Sequence, residues 1–333
     1  MKPGIPINWW IWPSISITFR GHQHNFHLTE GIFHTPDGTA EGSLSYQTIQ
    51  MVLIVDSGAT KADWIALDSK GEQLFMTQTL GLSPEVLTQD VIEERLANNF
   101  ELARNSAKVT RLHFYGAGCG TERMRKFLRN IFRGFFPNAK VNVKEDTYAA
   151  IYSTTRVGHQ GIVCILGTGS NCSYYDGHQM IQKVTSLGYI LMDDGSGNFF
   201  GRKLIRDYYY HKMPQDLGIE FDKEYNLDAD VIKENLYKKP NPNTYLATFA
   251  RFIIEHKDHP YCKGVIDKGL QQFVNNHVMQ FELATKVPIH FVGSIAYYLR
   301  EELEEVIKRN DMIMGVIRQR PIEGLVEFHK ETI

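Results

Sequence analysis

Two turns rich in glycine and hydroxyl residues, each directly after an apolar stretch, decide how this chain folds. Residues 52–61 read VLIVDSGATK, and residues 162–171 read IVCILGTGSN. The apolar halves predict buried β-strands, and the Gly, Ser and Thr residues that follow predict tight turns. Backbone N–H groups and hydroxyls in such turns bind anions. The sequence therefore predicts two strand-and-turn units that hold one polyphosphate between them.

Each of these strands opens a predicted meander of three antiparallel strands. The first meander continues through strands around Trp64–Leu67 and Leu74–Thr79, and the second through Cys172–Tyr175 and Met180–Val184. Predicted helices alternate with short strands after each meander, and a final strand is expected at Ile289–Val292. This repeat predicts an α/β protein with two duplicated lobes and a ligand-binding cleft between them.

The predicted domain boundaries follow the repeat. We expect an N-terminal lobe over 51–158 and a C-terminal lobe over 159–333, with the last helix packing on the N-terminal lobe. Within the first lobe, Thr88 is expected to cap a helix that carries Ile92, Leu96, Phe100 and Ala103 on one face. The polar stretch Gln215–Asn243 is predicted to be a peripheral insertion or a mobile helical segment.

Residues 1–50 differ in composition from the rest of the chain. Three tryptophans at 9, 10 and 12 are followed by histidines at 22, 24, 27 and 34, whose spacing matches no metal-ligand pattern. The apolar run near residues 5–19 is interrupted by prolines and is shorter than the about 20 residues that a spanning helix needs. We predict a disordered or non-native extension, with Met51 as the start of translation.

Composition narrows the class of partner. Of 333 residues, 43% are apolar and 12% aromatic, which is enough for two cores. A net charge of -2 provides no broad basic field, so the expected partner is a small molecule and not nucleic acid or a membrane. Four cysteines without a C-x-x-C pair favour a reduced, cytoplasmic protein.

Three motifs along the chain resemble, in their type and in their order, those of the actin, sugar kinase and heat-shock ATPase superfamily. Asp56–Trp64 resembles the first phosphate motif, Leu166–Asn171 the second, and Phe291–Ala296 the adenosine motif. Within the superfamily, the chain resembles the branch of N-acetylglucosamine kinases and BadF/BadG/BcrA/BcrD-type activator ATPases. The resemblance implies ribonuclease H-like lobes, ATP and Mg2+ as cofactors, and a homodimer. It also implies phosphorylation of an amino sugar, such as N-acetylglucosamine or glucosamine.

The resemblance implies a role for each residue of the first motif. Asp56 is similar to the carboxylate that holds Mg2+ through water, although an Asp here can also simply cap a turn. Gly58 and Thr60 are expected to contact phosphate. Lys61 is expected to add positive charge there, and a solvated surface lysine is the alternative interpretation.

The second and third motifs are expected to complete the nucleotide site. Glycines in the second turn let the phosphates approach the backbone closely, although a plain hairpin also needs glycine. The residues expected on the phosphates are Gly167, Thr168, Gly169 and Ser170. Those expected near adenine or ribose are Gly293 and Ser294.

Asp146 is the candidate catalytic base. Sugar kinases that resemble this chain have an Asp after a strand and before an Ala-Ala helix start, which matches Asp146 and Ala149-Ala150. The alternative is an ordinary helix N-cap. Asn171 and Asp193 resemble sugar-hydroxyl ligands. The segment 81–85 departs from the family pattern, because Pro84 and Glu85 stand where an Asn follows closely in N-acetylglucosamine kinases.

Two function classes remain open from the sequence. An activator ATPase would hold an iron–sulfur cluster at a dimer interface, which typically takes two cysteines from each subunit. Only Cys119 is predicted to lie in a loop, so the cysteines favour the sugar kinase. A regulator that binds a sugar without phosphorylating it is a third interpretation, which the presence of Asp56 and Asp146 disfavours.

Overall fold

The computed structural model describes residues 50–58 and 61–331. Residues 1–49 lie outside this range, so the predicted extension stays a prediction. Within the described part, no helix combines the length and the apolar character needed to cross a membrane. The described residues form one compact unit, which contains both sheets.

The first sheet places the strand of the first turn at its centre. Its strand order is β3-β2-β1-β4-β5, with an antiparallel β1–β2–β3 meander and with β4 and β5 parallel to β1. The apolar residues of β1 are buried, as expected for a central strand covered on both faces. The strands are β1 (Met51–Ser57), β2 (Lys61–Leu67), β3 (Gln73–Leu80), β4 (Val109–Gly116) and β5 (Lys140–Glu145).

The second sheet repeats this topology. Its order is β10-β9-β6-β7-β8, again a meander of three strands followed by two parallel strands. The predicted duplicated α/β fold is therefore confirmed. The sequence interpretation did not include β10, and β8 is shorter than predicted. The strands are β6 (Gly161–Leu166), β7 (Ser170–Tyr175), β8 (Met180–Ile181), β9 (Pro288–Val292) and β10 (Ile313–Arg318).

Helices associated with the first sheet differ from prediction at one place. The amphipathic helix expected from Thr88 divides into two, because the side chain of Asn99 accepts a hydrogen bond from the Leu102 amide and starts a new helix. Ile92 and Leu96 are buried as expected, but Phe100 is 70% exposed. The helices are α1 (Gln89–Ala97), α2 (Phe100–Asn105), α3 (Glu122–Phe135) and α4 (Asp146–Thr154).

The polar stretch at 215–243 is helical but is not peripheral. Leu217, Phe221 and Ile232 are buried in the core of the second sheet, which corrects the expectation of a peripheral or mobile segment. The helices after β8 are α5 (Gly197–Tyr209), α6 (Gln215–Glu224), α7 (Ala229–Tyr237), α8 (Pro242–Thr248), α9 (Ala250–Glu255), α10 (Pro260–Asn276), α11 (Ser294–Tyr298), α12 (Arg300–Arg309) and α13 (Pro321–Lys330).

A third core joins the two sheets. It combines Ile54 and Tyr115 of the first sheet with Val163 and Val292 of the second. Helix α4 packs against strands of both sheets, and α13 packs on α4 and on β1 and β2. The residue at the start of α4 therefore lies where the two halves of the molecule meet.

Candidate active site

Three carboxylates lie at the same end of the first sheet. Asp56 is the penultimate residue of β1, Asp63 is its partner on β2, and Asp146 follows the last residue of β5. Burial and the negative charges of Asp146 and Asp63 raise the pKa of Asp56 to about 7. A cation bound at this end would offset both effects and keep the carboxylate ionised.

Asp146 is the first residue of α4. Glu145 occupies the N-cap position, so Asp146 is not the ordinary N-cap that the sequence left as an alternative. Its side chain is accessible, yet the protein around it removes enough water to raise its pKa above the usual range. Backbone N–H groups, including that of Thr147, partly oppose this shift. An accessible carboxylate with this bias towards protonation suits proton transfer.

The first turn is closed by a hydrogen bond from the Gly58 amide to the Lys61 carbonyl, at 2.9 Å. The ammonium group of Lys61 lies 2.9 Å from Oδ2 of Asp63, whose Oδ1 accepts a bond from Gln78 at 2.8 Å. Lys61 is therefore both solvent-accessible and paired with Asp63, and its role at the phosphates stays a prediction. Thr60 lies outside the described residues, so its phosphate contact stays a prediction.

The backbone orientation of the second turn follows from its bonds to α5. The Gly197 amide donates to the Gly167 carbonyl at 2.8 Å, and the Asn198 amide donates to the Thr168 carbonyl at 3.0 Å. In a trans peptide the C=O and the next N–H point in opposite directions. The N–H groups of Thr168 and Gly169 therefore point away from α5, toward the accessible side of the turn.

Asp193 holds this turn in place from its buried side. Its Oδ1 accepts the Ser170 amide at 3.2 Å, and its Oδ2 accepts the side-chain amide of Asn198 at 2.8 Å. Asp193 is buried and has a φ of 68°. Asn171, the other predicted sugar ligand, is partly accessible, and its Oδ1 accepts a bond from Gln182 at 3.3 Å. Both sugar assignments stay predictions, and Asp193 in addition holds the turn in place.

Gly293 joins the predicted adenosine motif to the second turn. It has a φ of 121°, and a Cβ placed on it would lie 2.3 Å from the Leu166 carbonyl oxygen. Only glycine permits that conformation and that close approach. Ser294 then begins α11 and opens on a cavity of about 510 Å3 between α8, α9 and α11. The cavity is lined by Ala247, Thr248, Ala250, Arg251, Ile254, Glu255, Ser294, Ile295 and Tyr298.

One wall of the cavity lies next to the start of α5, which holds the second turn. A Cβ on Gly197, whose amide binds the turn, would lie 3.0 Å from the Cβ of Ala247 in the cavity wall. Sequence reasoning missed the α8 and α9 residues of this cavity, because apolar helical positions carry no recognisable signature of a ligand pocket. It also missed Gly197 and Asn198. Their only sequence signal is their place just after Ser196, which caps α5 through a bond from the Phe199 amide.

A comparison with solved structures gives the family. A candidate N-acetylglucosamine kinase from Porphyromonas gingivalis is 34% identical to this chain, with a TM-score of 0.78, over 84% of this chain and 99% of that one. The chain belongs to the N-acetylglucosamine kinase-like family of the actin-like ATPase superfamily. A candidate N-acetylglucosamine kinase from Chromobacterium violaceum covers the same shares at 15% identity and a TM-score of 0.60, which supports the fold alone. No protein-family model matches the chain.

Segment 81–85, with Pro84 and Glu85, packs against the loop that follows β4. Gly118, after β4, has a φ of 78°, and a Cβ on it would lie 2.5 Å from Oγ of Ser83 and 3.3 Å from Cγ of Glu85. Charges of Asp146 and Glu85 both act on the thiol of Cys119 in this loop. The Leu82 amide donates to Oγ of Ser57, the residue after Asp56, at 3.1 Å, so segment 81–85 packs against the end of β1.

All four cysteines of this N-acetylglucosamine kinase-like chain are buried free thiols. Cys119, the candidate loop cysteine, is fully buried, and burial raises its pKa to about 12. A cluster shared between two subunits needs accessible thiolates. The buried position of Cys119 removes the one cysteine that the sequence offered to such a cluster.

Proposed function

We propose that this protein transfers the γ-phosphoryl group of ATP to a hydroxyl group of an amino sugar, N-acetylglucosamine or glucosamine. The observation that carries this proposal is that Asp146 lies at the same end of the first sheet as Asp56, at the start of the helix that packs on both sheets. Kinship with the P. gingivalis candidate kinase supports the same conclusion. Phosphoryl transfer needs an acceptor-orienting carboxylate, charge stabilisation and a bound nucleotide, and each has candidate residues here.

The nucleotide is assigned to the second turn and its neighbouring cavity. The amides of Thr168 and Gly169, with the Thr168 hydroxyl and Ser170, form the proposed phosphate contacts. Gly58 and Lys61, with Thr60, supply contacts from the first turn. The cavity beside Gly293 and Ser294 has mostly apolar walls and a volume within the range of small-molecule sites.

Mg2+ is assigned to the end of the sheet that carries Asp56. In the described residues no three His, Cys, Asp or Glu side chains are arranged to hold a metal by themselves. Mg2+ commonly uses one or two carboxylates together with water and substrate phosphate, and that requirement fits Asp56. The raised pKa of Asp56 fits too, because burial and then the charges of Asp146 and Asp63 disfavour the ionised carboxylate, and a bound cation would offset both. When bound, Mg2+ would neutralise charge on the phosphate oxygens.

Asp146 is assigned as the base that orients the sugar hydroxyl and accepts its proton. Asn171 and Asp193 are the proposed ligands of other sugar hydroxyls. Closure of the two lobes over the sugar would exclude water and suppress hydrolysis of ATP. We assign the protein to the cytoplasm on its four free thiols, and we propose a homodimer on family resemblance.

ADP release from the full-length protein tests this function. The protein is incubated with Mg-ATP and, separately, N-acetylglucosamine, glucosamine, N-acetylmuramic acid, glucose or no sugar. We expect stimulation by an amino sugar, with a phosphosugar product by mass spectrometry, and loss of both signals in Asp146→Asn. ADP release that is independent of every sugar would instead favour an activator ATPase and refute the kinase.

A further inference from the structure

Asn198 is a fully buried amide between the second turn and Asp193. Its Nδ2 donates to the Thr168 carbonyl at 2.7 Å and to Oδ2 of Asp193 at 2.8 Å. Its backbone amide also donates to the Thr168 carbonyl. The sequence analysis assigned this residue no role. It is the second residue of α5, just after the Ser196 N-cap.

The chemistry of its neighbours defines the amide's orientation. Both partners of the NH2 group are acceptors, a carbonyl and a carboxylate, so only the nitrogen end can face them. The other end, Oδ1, is buried and has no hydrogen-bond partner within residues 50–58 and 61–331. An unpaired buried acceptor is unfavourable for folding, so this side chain is not optimised for stability alone.

These hydrogen bonds also fix the direction in which the backbone amides of the turn point. Two donors on the Thr168 carbonyl hold that peptide plane with its C=O toward α5, so the Gly169 N–H on the same plane is directed away from α5. The Asn198 bond to Asp193 also keeps the carboxylate beneath the Ser170 amide. One side chain thus restrains both sides of the turn.

We propose that Asn198 is a positioning residue that aims the turn's amides at the nucleotide phosphates. The inference rests on the proposed function, because it takes ATP as the ligand of this turn. Asn198 itself contacts no phosphate. Its effect passes through the Thr168 peptide and through Asp193, so its loss should weaken the binding of phosphates and spare the binding of the nucleoside.

The test compares affinities for ADP and for adenosine by titration calorimetry on the full-length protein. Asn198→Asp replaces the donor by a carboxylate facing Asp193, and Asn198→Ala removes only the side-chain bonds. We expect the Kd for ADP to rise about tenfold to a hundredfold in both variants, which is the effect of losing one hydrogen bond from a turn amide to a charged phosphate. The Kd for adenosine should be unchanged. Asn105→Ala is the matched control, because Asn105 is a buried amide that donates to the Glu101 carbonyl in α2.

A swapped pair provides a rescue. In Asp193→Asn with Asn198→Asp, an amide and a carboxylate face each other again, so we expect tighter ADP binding than in Asn198→Asp alone. Equal losses for ADP and adenosine, or an ADP affinity no different from that of Asn105→Ala, would overturn the positioning role. These readouts need no sugar. A wild-type protein that binds ADP but shows no sugar-stimulated ADP release would refute the kinase while leaving the Asn198 test intact.

Discussion

Replacing Asp56 by Asn should stabilise the protein without nucleotide and abolish its proposed chemistry. The Asp56 carboxyl is partly buried and lies near Asp146 and Asp63, and its pKa is raised from 3.8 to about 7. The folded state therefore binds this proton more tightly than the unfolded state does. Its contribution to stability is present below about pH 4 and is lost as the pH rises from about 4 to 7.

The magnitude follows from the two pKa values. The difference between 3.8 and about 7 corresponds to about 4 kcal/mol of lost stability at pH 8, when Asp56 is ionised in both states. Water reaches part of the side chain, so about half of this is a realistic effect. The amide of the variant carries no charge, and the substitution also removes the repulsion that Asp146 experiences. We expect the stability advantage of Asp56→Asn to grow by about 2 kcal/mol between pH 4 and pH 8.

Urea unfolding at several pH values measures this difference. The free energies of unfolding of wild type and Asp56→Asn are compared at each pH, in EDTA and without nucleotide. Asp258→Asn is the control, because Asp258 is an exposed carboxylate just before α10, so its stability profile should parallel that of wild type. ADP release by Asp56→Asn is measured in parallel and should be lost.

The reasoning would be refuted by a constant difference between Asp56→Asn and wild type across pH 4 to 8. A variant that is less stable than wild type at pH 8 would refute it as well. Either result would mean that the fold compensates the Asp56 charge, so that no raised pKa marks this carboxylate as a metal ligand.

Three further predictions concern the base, the glycine of the adenosine motif and the second turn. Asp146→Asn should lower turnover by about a hundredfold to ten-thousandfold with the Kd for ADP unchanged, and near-normal turnover would exclude Asp146 as the base. Gly293→Ala should lower the free energy of unfolding by about 2 kcal/mol or more, because its Cβ would meet the Leu166 carbonyl at positive φ. Gly134→Ala, with nothing within 4 Å of the added Cβ, should not destabilise, and equal losses in urea unfolding would contradict this account. Thr168→Val should raise the Kd for ADP about tenfold and leave adenosine binding unchanged, and an unchanged ADP affinity would remove its hydroxyl from the phosphate site.

Much of the fold was readable from local patterns. Apolar strands followed by glycine-rich turns predicted β1 and β6, and the repeat of strand spacing predicted two similar sheets. Helix α3 follows the same kind of local rule, because its apolar residues recur every three to four positions and Oγ1 of Thr121, just before it, accepts a hydrogen bond from the Met124 amide. The prediction that Phe100 is buried was wrong. It extended the periodicity of α1 past Asn99, where the side chain of Asn99 caps a new helix.

The candidate site was only partly readable. Asp56, Asp146 and the second turn lie at strand ends, where turn residues are visible in sequence. The burial of Cys119 and the ion pair of Lys61 with Asp63 were not visible, because both depend on which loops and strands become neighbours.

The sequence by itself determined the two strand-and-turn units and the three motifs in order, because hydrophobic periodicity and turn chemistry act over a few residues. Only the tertiary structure decided that α8, α9 and α11 enclose a cavity beside Ser294, and that Asn198 and Asp193 brace the second turn. These arrangements join residues far apart in the chain. Their energies arise from close packing and paired buried polar groups, which exist only after the sheets have formed.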